Sequence, residues 1–140
     1  MATMKAARWH AAKDIRVEEA TIPTPNDDQV KIEVKFAGIC GSDLHEYNHG
    51  PQLIPIDAPY PLNGHQGTTT LGHEFAGVVS EVGRNVTKVK IGDRVIVEPI
   101  FRNPESPFIE SGEYNLSEPL GFVGLTANGA FAKYVVVEEY

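Results

Sequence analysis

The sequence predicts a mainly β domain, a barrel or a sandwich, broken by two long excursions. Three observations carry this. The segment VKIEVKFA at 30–37 alternates strictly between apolar and polar residues, the period of a strand with one wet face. Further runs rich in apolar and β-branched residues at 74–83, 92–99 and 129–138 are flanked by glycine or proline. Two stretches, 48–70 and 99–128, show no periodicity, and loops that long in a small domain usually serve function or a neighbour.

Each element follows from local chemistry. MKAARWH at 4–10 and IRVEEAT at 15–21 form a plausible first hairpin. In the 30–37 strand, Val30, Ile32, Val34 and Phe36 face one way, and Lys31, Glu33 and Lys35 the other. One short helix is predicted from about Ser42 to Tyr47, with Ser42 or Asp43 accepting from the free amides of its first turn. EFAGVVSEVG at 74–83 reads as a strand between glycines, and GDRVIVEP at 92–99 as a turn leading into one. GAFAKYVVVE at 129–138 is the last, and its edge near Tyr134–Val137 is a candidate for self-association.

Composition narrows the class. The chain has 140 residues, 41% of them apolar, enough for a modest core. Its net charge of −7, without any basic run, argues against a nucleic-acid partner. A single cysteine cannot form an internal disulfide, so a reducing, cytoplasmic home is expected. No run has the length of a signal-peptide core or a bilayer span, and no membrane partner is expected.

The residues that carry chemistry fall in two stretches. GICGSDLHEY at 38–47 holds the lone Cys40 with Ser42, Asp43 and His45 close behind. LGHEFAGVVSEVG at 71–83 holds His73 and Glu74 after a glycine. A thiolate and an imidazole are favoured zinc ligands, and Asp43 could be the carboxylate that fixes a ligating histidine's tautomer. Taken singly, each has a plainer reading: Cys40 as a small buried hydrophobe, His73 as a satisfied structural histidine. His10, His49 and His65 match no motif and are expected at the surface. Ile100 and Phe101 fit either a pocket wall or the core.

Together the motifs resemble the medium-chain, zinc-dependent alcohol dehydrogenases. GxCGSDLH is followed by GHExxGxxxxxG, matched at Gly72, His73, Glu74, Gly77 and Gly83, and then by Ile91-Gly92-Asp93-Arg94-Val95. The resemblance covers all 140 residues and implies a GroES-like, partly open β-barrel with few helices. It implies catalytic zinc on Cys40 and His73, with Glu74 beside the metal and able to ligate it in some states. It further implies Ser42 at the substrate oxygen, His45 at the far end of a proton relay, and Asp43 behind a ligand. In such enzymes zinc acidifies an alcohol, protons leave through the relay, and hydride passes to nicotinamide.

The sequence also departs from the family pattern. The four cysteines of the family's structural zinc site fall on Asn103, Ser106, Ile109 and Ser117, none of them a thiol, so one catalytic zinc and no structural zinc is expected. No G-x-G-x-x-G opens a helix after a strand. Residues 1–140 are therefore expected to be the N-terminal catalytic part of a longer dehydrogenase. The Rossmann domain, most of the NAD(P) contacts and a third protein ligand for zinc would lie later in the polypeptide. The wording of 48–70, with GEYNL at 112–116, resembles the 2,3-butanediol dehydrogenase and acetoin reductase branch; sorbitol or another polyol, then threonine, are alternatives. A small-molecule alcohol or ketone substrate and a homo-oligomer are expected. The rival readings are a zinc-free, quinone-type reductase and a non-enzymatic barrel module.

Overall fold

The computed structural model describes residues 1–140. Its elements run β1 (Thr3–Ala11), β2 (Asp14–Thr21), β3 (Gln29–Gly38), α1 (Gly41–His49), β4 (Thr69–Thr70), β5 (Glu74–Val82), β6 (Arg94–Ile96), β7 (Ile100–Phe101), β8 (Gly121–Phe122) and β9 (Tyr134–Glu138). A 3-10 turn covers Tyr114–Leu116. The strands form sheets of order β2-β1-β4, β6-β5-β3-β9 and β7-β8. All the strand pairs are antiparallel. This is the mainly β architecture that the alternation predicts.

The main core is read directly from register. Val30 pairs with Val82 on one side and Val137 on the other; Ile32 pairs with Val79 and Val135. These branched side chains pack with Phe75, Val123 and Ala130 into one buried cluster. Burying each large member stabilises the fold by about 1.5–3 kcal/mol. Half-buried Phe101 packs against the same cluster and also lines a cavity of about 630 Å³, so it serves both the core and a pocket wall.

Alternation does not hold to the end of β3. Between Val34 and Phe36 the register with β5 shifts, and Phe36 is 78% exposed rather than facing the core. Phe36 pairs with Ala76, which pairs with Ile96, itself 85% exposed. An apolar strip therefore crosses three strands beside the end of the sheet.

Trp9, Ile54, Leu71 and Leu125 form a second buried cluster, with Phe122 and Phe131 packed against it. It also explains why β9 starts at 134 rather than 129. The amides of Gly129, Ala130 and Phe131 donate to the carbonyls of Thr70, Gly72 and Leu71, so this segment is spent fastening the chain beside β4. Gly72 has φ +99°, and a Cβ there would lie 2.6 Å from the Phe131 ring. Only glycine fits such a backbone at such a contact.

The 100–120 lobe is held by polar side chains. The Asn103 amide donates to the Glu118 carbonyl at 2.7 Å, and its oxygen accepts from the Glu105 amide at 3.1 Å. Ser106 Oγ accepts from the Phe108 amide at 3.3 Å. The Arg102 guanidinium lies 3.9 Å from the Tyr114 ring centre and 4.8 Å from that of Tyr140. Tyr114 donates to the Glu98 carboxylate, which pushes the phenol pKa up. At three of the positions where the family pattern has cysteine, this chain has polar residues, and two of them tie turns by hydrogen bonds.

Candidate metal centre

The site forms where β3 hands over to α1 and where β5 begins. Cys40 is the residue before the helix, with extended backbone (φ −90°, ψ 159°). The helix starts there because the Asp43 carboxylate, one turn in, accepts from the Cys40 amide at 2.9 Å. A negative group in the first turn also suits the helix dipole. Neither of the two predicted residues is the cap: Cys40 takes that position, Asp43 lies inside the first turn and accepts from the Cys40 amide, and Ser42 faces His73. The helix is longer than predicted, Gly41–His49.

The antiparallel pairing of Gly38 with Glu74 sets the start of β5 beside this turn. Cys40 and His73, far apart in sequence, thereby become neighbours. One donor atom each from Cys40, His73 and Glu74 lies within 4.8 Å of the others. Cys40 is half-buried, His73 is buried and Glu74 is exposed, so the centre opens on one side. Ser42 Oγ lies 2.9 Å from His73 Nε2.

The other face of the His73 ring is buried. Its Nδ1 lies 3.5 Å from Asp43 Oδ1, and neither atom has a hydrogen-bond partner. With the carboxylate facing Nδ1 and the Ser42 hydroxyl facing Nε2, the tautomer protonated on Nδ1 is the one that leaves the Nε2 lone pair to accept from Ser42 or to bind a metal. Burial pushes the Asp43 carboxyl pKa up, opposed by the Cys40 amide and by the His73 ring. A thiolate, an imidazole with a carboxylate behind it, and a carboxylate at the solvent side form a donor set that fits zinc.

The structure thus brings together Cys40, Ser42, Asp43, His73 and Glu74. His45 is exposed on α1 and makes no hydrogen bond to any of them. His49 is exposed as expected, but His10 is half-buried and bonded to Glu18 at 3.0 Å. His65 departs from expectation: it is half-buried, 2.7 Å from Thr69 Oγ1, and its pKa is lowered by burial and by Arg8. One residue was missed altogether. Glu46 is 1% exposed, under the helix that carries the site. Its spacing of three from Asp43 puts both on one helix face, but a glutamate near a helix end ordinarily reads as solvated.

Residues 26–140 match the family described as alcohol dehydrogenase GroES-like domain. The (R,R)-butanediol dehydrogenase of Bacillus subtilis strain 168 is 53% identical over 137 residues, covering 97% of this chain and 38% of that protein. The crystal structure of the 2R,3R-butanediol dehydrogenase from Bacillus subtilis superposes with a TM-score of 0.89 at 52% identity, covering 97% of this chain and 38% of that one. A protein assigned as a zinc-binding dehydrogenase from Sinorhizobium meliloti 1021, bound to NADP, superposes with a TM-score of 0.82 at 32% identity, covering 99% of this chain and 37% of that one. The chain spans under two-fifths of the length of these relatives. With its mainly β fold, its two motifs and this match, the chain belongs to the alcohol dehydrogenase GroES-like domain family.

Proposed function

We propose that residues 1–140 are the catalytic-domain portion of a zinc-dependent, NAD(P)-dependent secondary-alcohol or diol dehydrogenase interconverting 2,3-butanediol and acetoin. The observation that carries this is the meeting of Cys40, His73 and Glu74 donor atoms within 4.8 Å, with the Ser42 hydroxyl 2.9 Å from His73 Nε2. Cys40 Sγ and a His73 ring nitrogen would hold the metal, with Glu74 at the open side. Bound zinc supplies Lewis acidity that makes a substrate hydroxyl far more acidic. Ser42 Oγ would pass on the hydroxyl proton, and exposed His45 would hand it to solvent. Asp43 keeps the His73 proton on Nδ1. The choice of butanediol rests on the similarity to butanediol dehydrogenases.

NAD(P) is bound mainly by sequence outside these residues, and the working protein is a cytoplasmic homo-oligomer acting on small alcohols and ketones. The chain takes one zinc, because Asn103, Ser106, Ile109 and Ser117 offer no thiolate. With at most three ligands in this chain, that zinc is held weakly.

Two measurements test the proposal. Metal analysis of this chain after exhaustive dialysis should find zinc well below one per chain; stoichiometric, chelator-resistant zinc contradicts the weak three-ligand site. In the protein encoded by the complete gene, Cys40→Ser should remove zinc and NAD(P)-linked butanediol oxidation together. Activity that survives this change points instead to a zinc-free reductase of the same superfamily.

A further inference from the structure

Glu46 is the one buried acid that the proposed chemistry does not use. Its carboxylate sits 1% exposed and accepts three contacts from backbone amides: Gln52 at 3.0 and 3.2 Å, and Leu53 at 2.6 Å. Its own carbonyl accepts from the Trp9 indole at 2.9 Å and from the Gly50 amide at 2.9 Å. A Cβ at Gly50 would lie 2.5 Å from Glu46 Oε2, so that position must be bare for the carboxylate to reach the loop. A buried carboxylate held by amides on this scale is an organised clamp, not a stray surface charge.

The clamp joins the two halves of the metal centre. Glu46 is on α1, one turn beyond Asp43, and α1 follows directly on Cys40. Its partners Trp9 and, through Leu53, the adjacent Ile54 belong to the buried cluster that also holds Leu71. Leu71 lies two residues before His73. Glu46 therefore ties the helix beside the thiol to the core beneath the imidazole.

We infer that Glu46 is a positioning residue: its carboxylate clamp on the 52–53 amides fixes the separation of Cys40 from His73. The inference rests on the metal-site reading above, and a metal-free readout makes the two separable. Glu46→Gln keeps the length but places an NH2 group against an amide donor. Val135→Ala, a core truncation in β9 away from the helix, controls for general loss of packing. Two properties are measured on the 140-residue chain: cobalt(II) affinity, followed by the thiolate-to-cobalt absorption band, and the alkylation rate of Cys40, the single cysteine. Glu46→Gln is expected to weaken cobalt about tenfold, the scale seen when a ligand-orienting partner is lost. It is also expected to change the Cys40 alkylation rate, while Val135→Ala shifts neither. If the unaltered chain shows no thiolate–cobalt band, the metal reading fails and the alkylation rate alone judges Glu46. An alkylation rate in Glu46→Gln equal to that of the unaltered chain, or an equal change in Val135→Ala, overturns the positioning role.

Discussion

Replacing Asp43 by Asn should separate metal binding from folding. Asp43 is 3% exposed; one oxygen accepts from the Cys40 amide at 2.9 Å, and the other faces His73 Nδ1 at 3.5 Å. Asparagine can keep only one of these as an acceptor. If its oxygen stays on the Cys40 amide, its NH2 faces Nδ1 and favours the tautomer with the proton on Nε2, the nitrogen needed for the metal. Loss of such an outer partner weakens a metal site about 10- to 100-fold. That is about 1.4 to 2.7 kcal/mol of binding free energy. Folding should move the other way. Burial already opposes the ionised carboxylate, so a neutral side chain of the same shape leaves the metal-free fold as stable or more so. The assay pairs a cobalt or zinc titration against a chromophoric chelator with urea unfolding of the metal-free chain. Unchanged metal affinity refutes the tautomer argument. So does a loss of affinity matched by an equal loss of stability, because the helix start has then simply come apart.

Other outcomes follow from the same structure. Gly72→Ala puts a Cβ 2.6 Å from the Phe131 ring at φ +99°, and should cost about 3 kcal/mol in urea unfolding; a cost near zero means the 70–72 and 129–131 segments are not so closely joined. The folded pKa of His65 lies below its ordinary 6.5, so the unfolded chain binds more protons just under that pH. The stability from a neutral His65 is thus fully present above about pH 6.5 and declines as pH falls through that window. His65→Gln should flatten this decline in urea midpoints measured across it. Arg102→Ala removes the cation lying over Tyr114 and Tyr140, at a cost of about 1 kcal/mol or less. Its effect should be local, as faster amide exchange across 100–120 with β3 and β5 unchanged.

Strand identity was legible because side-chain period reports directly on which face is buried. Val30 and Ile32 declare their face in the sequence, and register then joins them to Val79, Val82, Val135 and Val137. Phe36 obeyed the same pattern but lies outside, because a shift in pairing at the end of β3 is set by β5 and leaves no trace in the local alternation. The late start of β9 has a similar cause: residues 129–131 have strand composition but bond to 70–72 instead. His65 looked like a surface histidine because nothing nearby in sequence announces Thr69 and Arg8 as its neighbours.

The candidate ligands could be picked out from residue type and wording, since zinc selects thiolate and imidazole by their electronic character, which is a property of each side chain alone. Their meeting was implied by the resemblance alone, and no local pattern in the chain announces it. Cys40 and His73 come together because Gly38 pairs with Glu74 across an antiparallel ladder, and hydrogen-bond register between strands is a long-range choice. Glu46 shows the same limit more sharply. A carboxylate is normally driven outward by its hydration, and only amides delivered by a later loop make its burial tolerable.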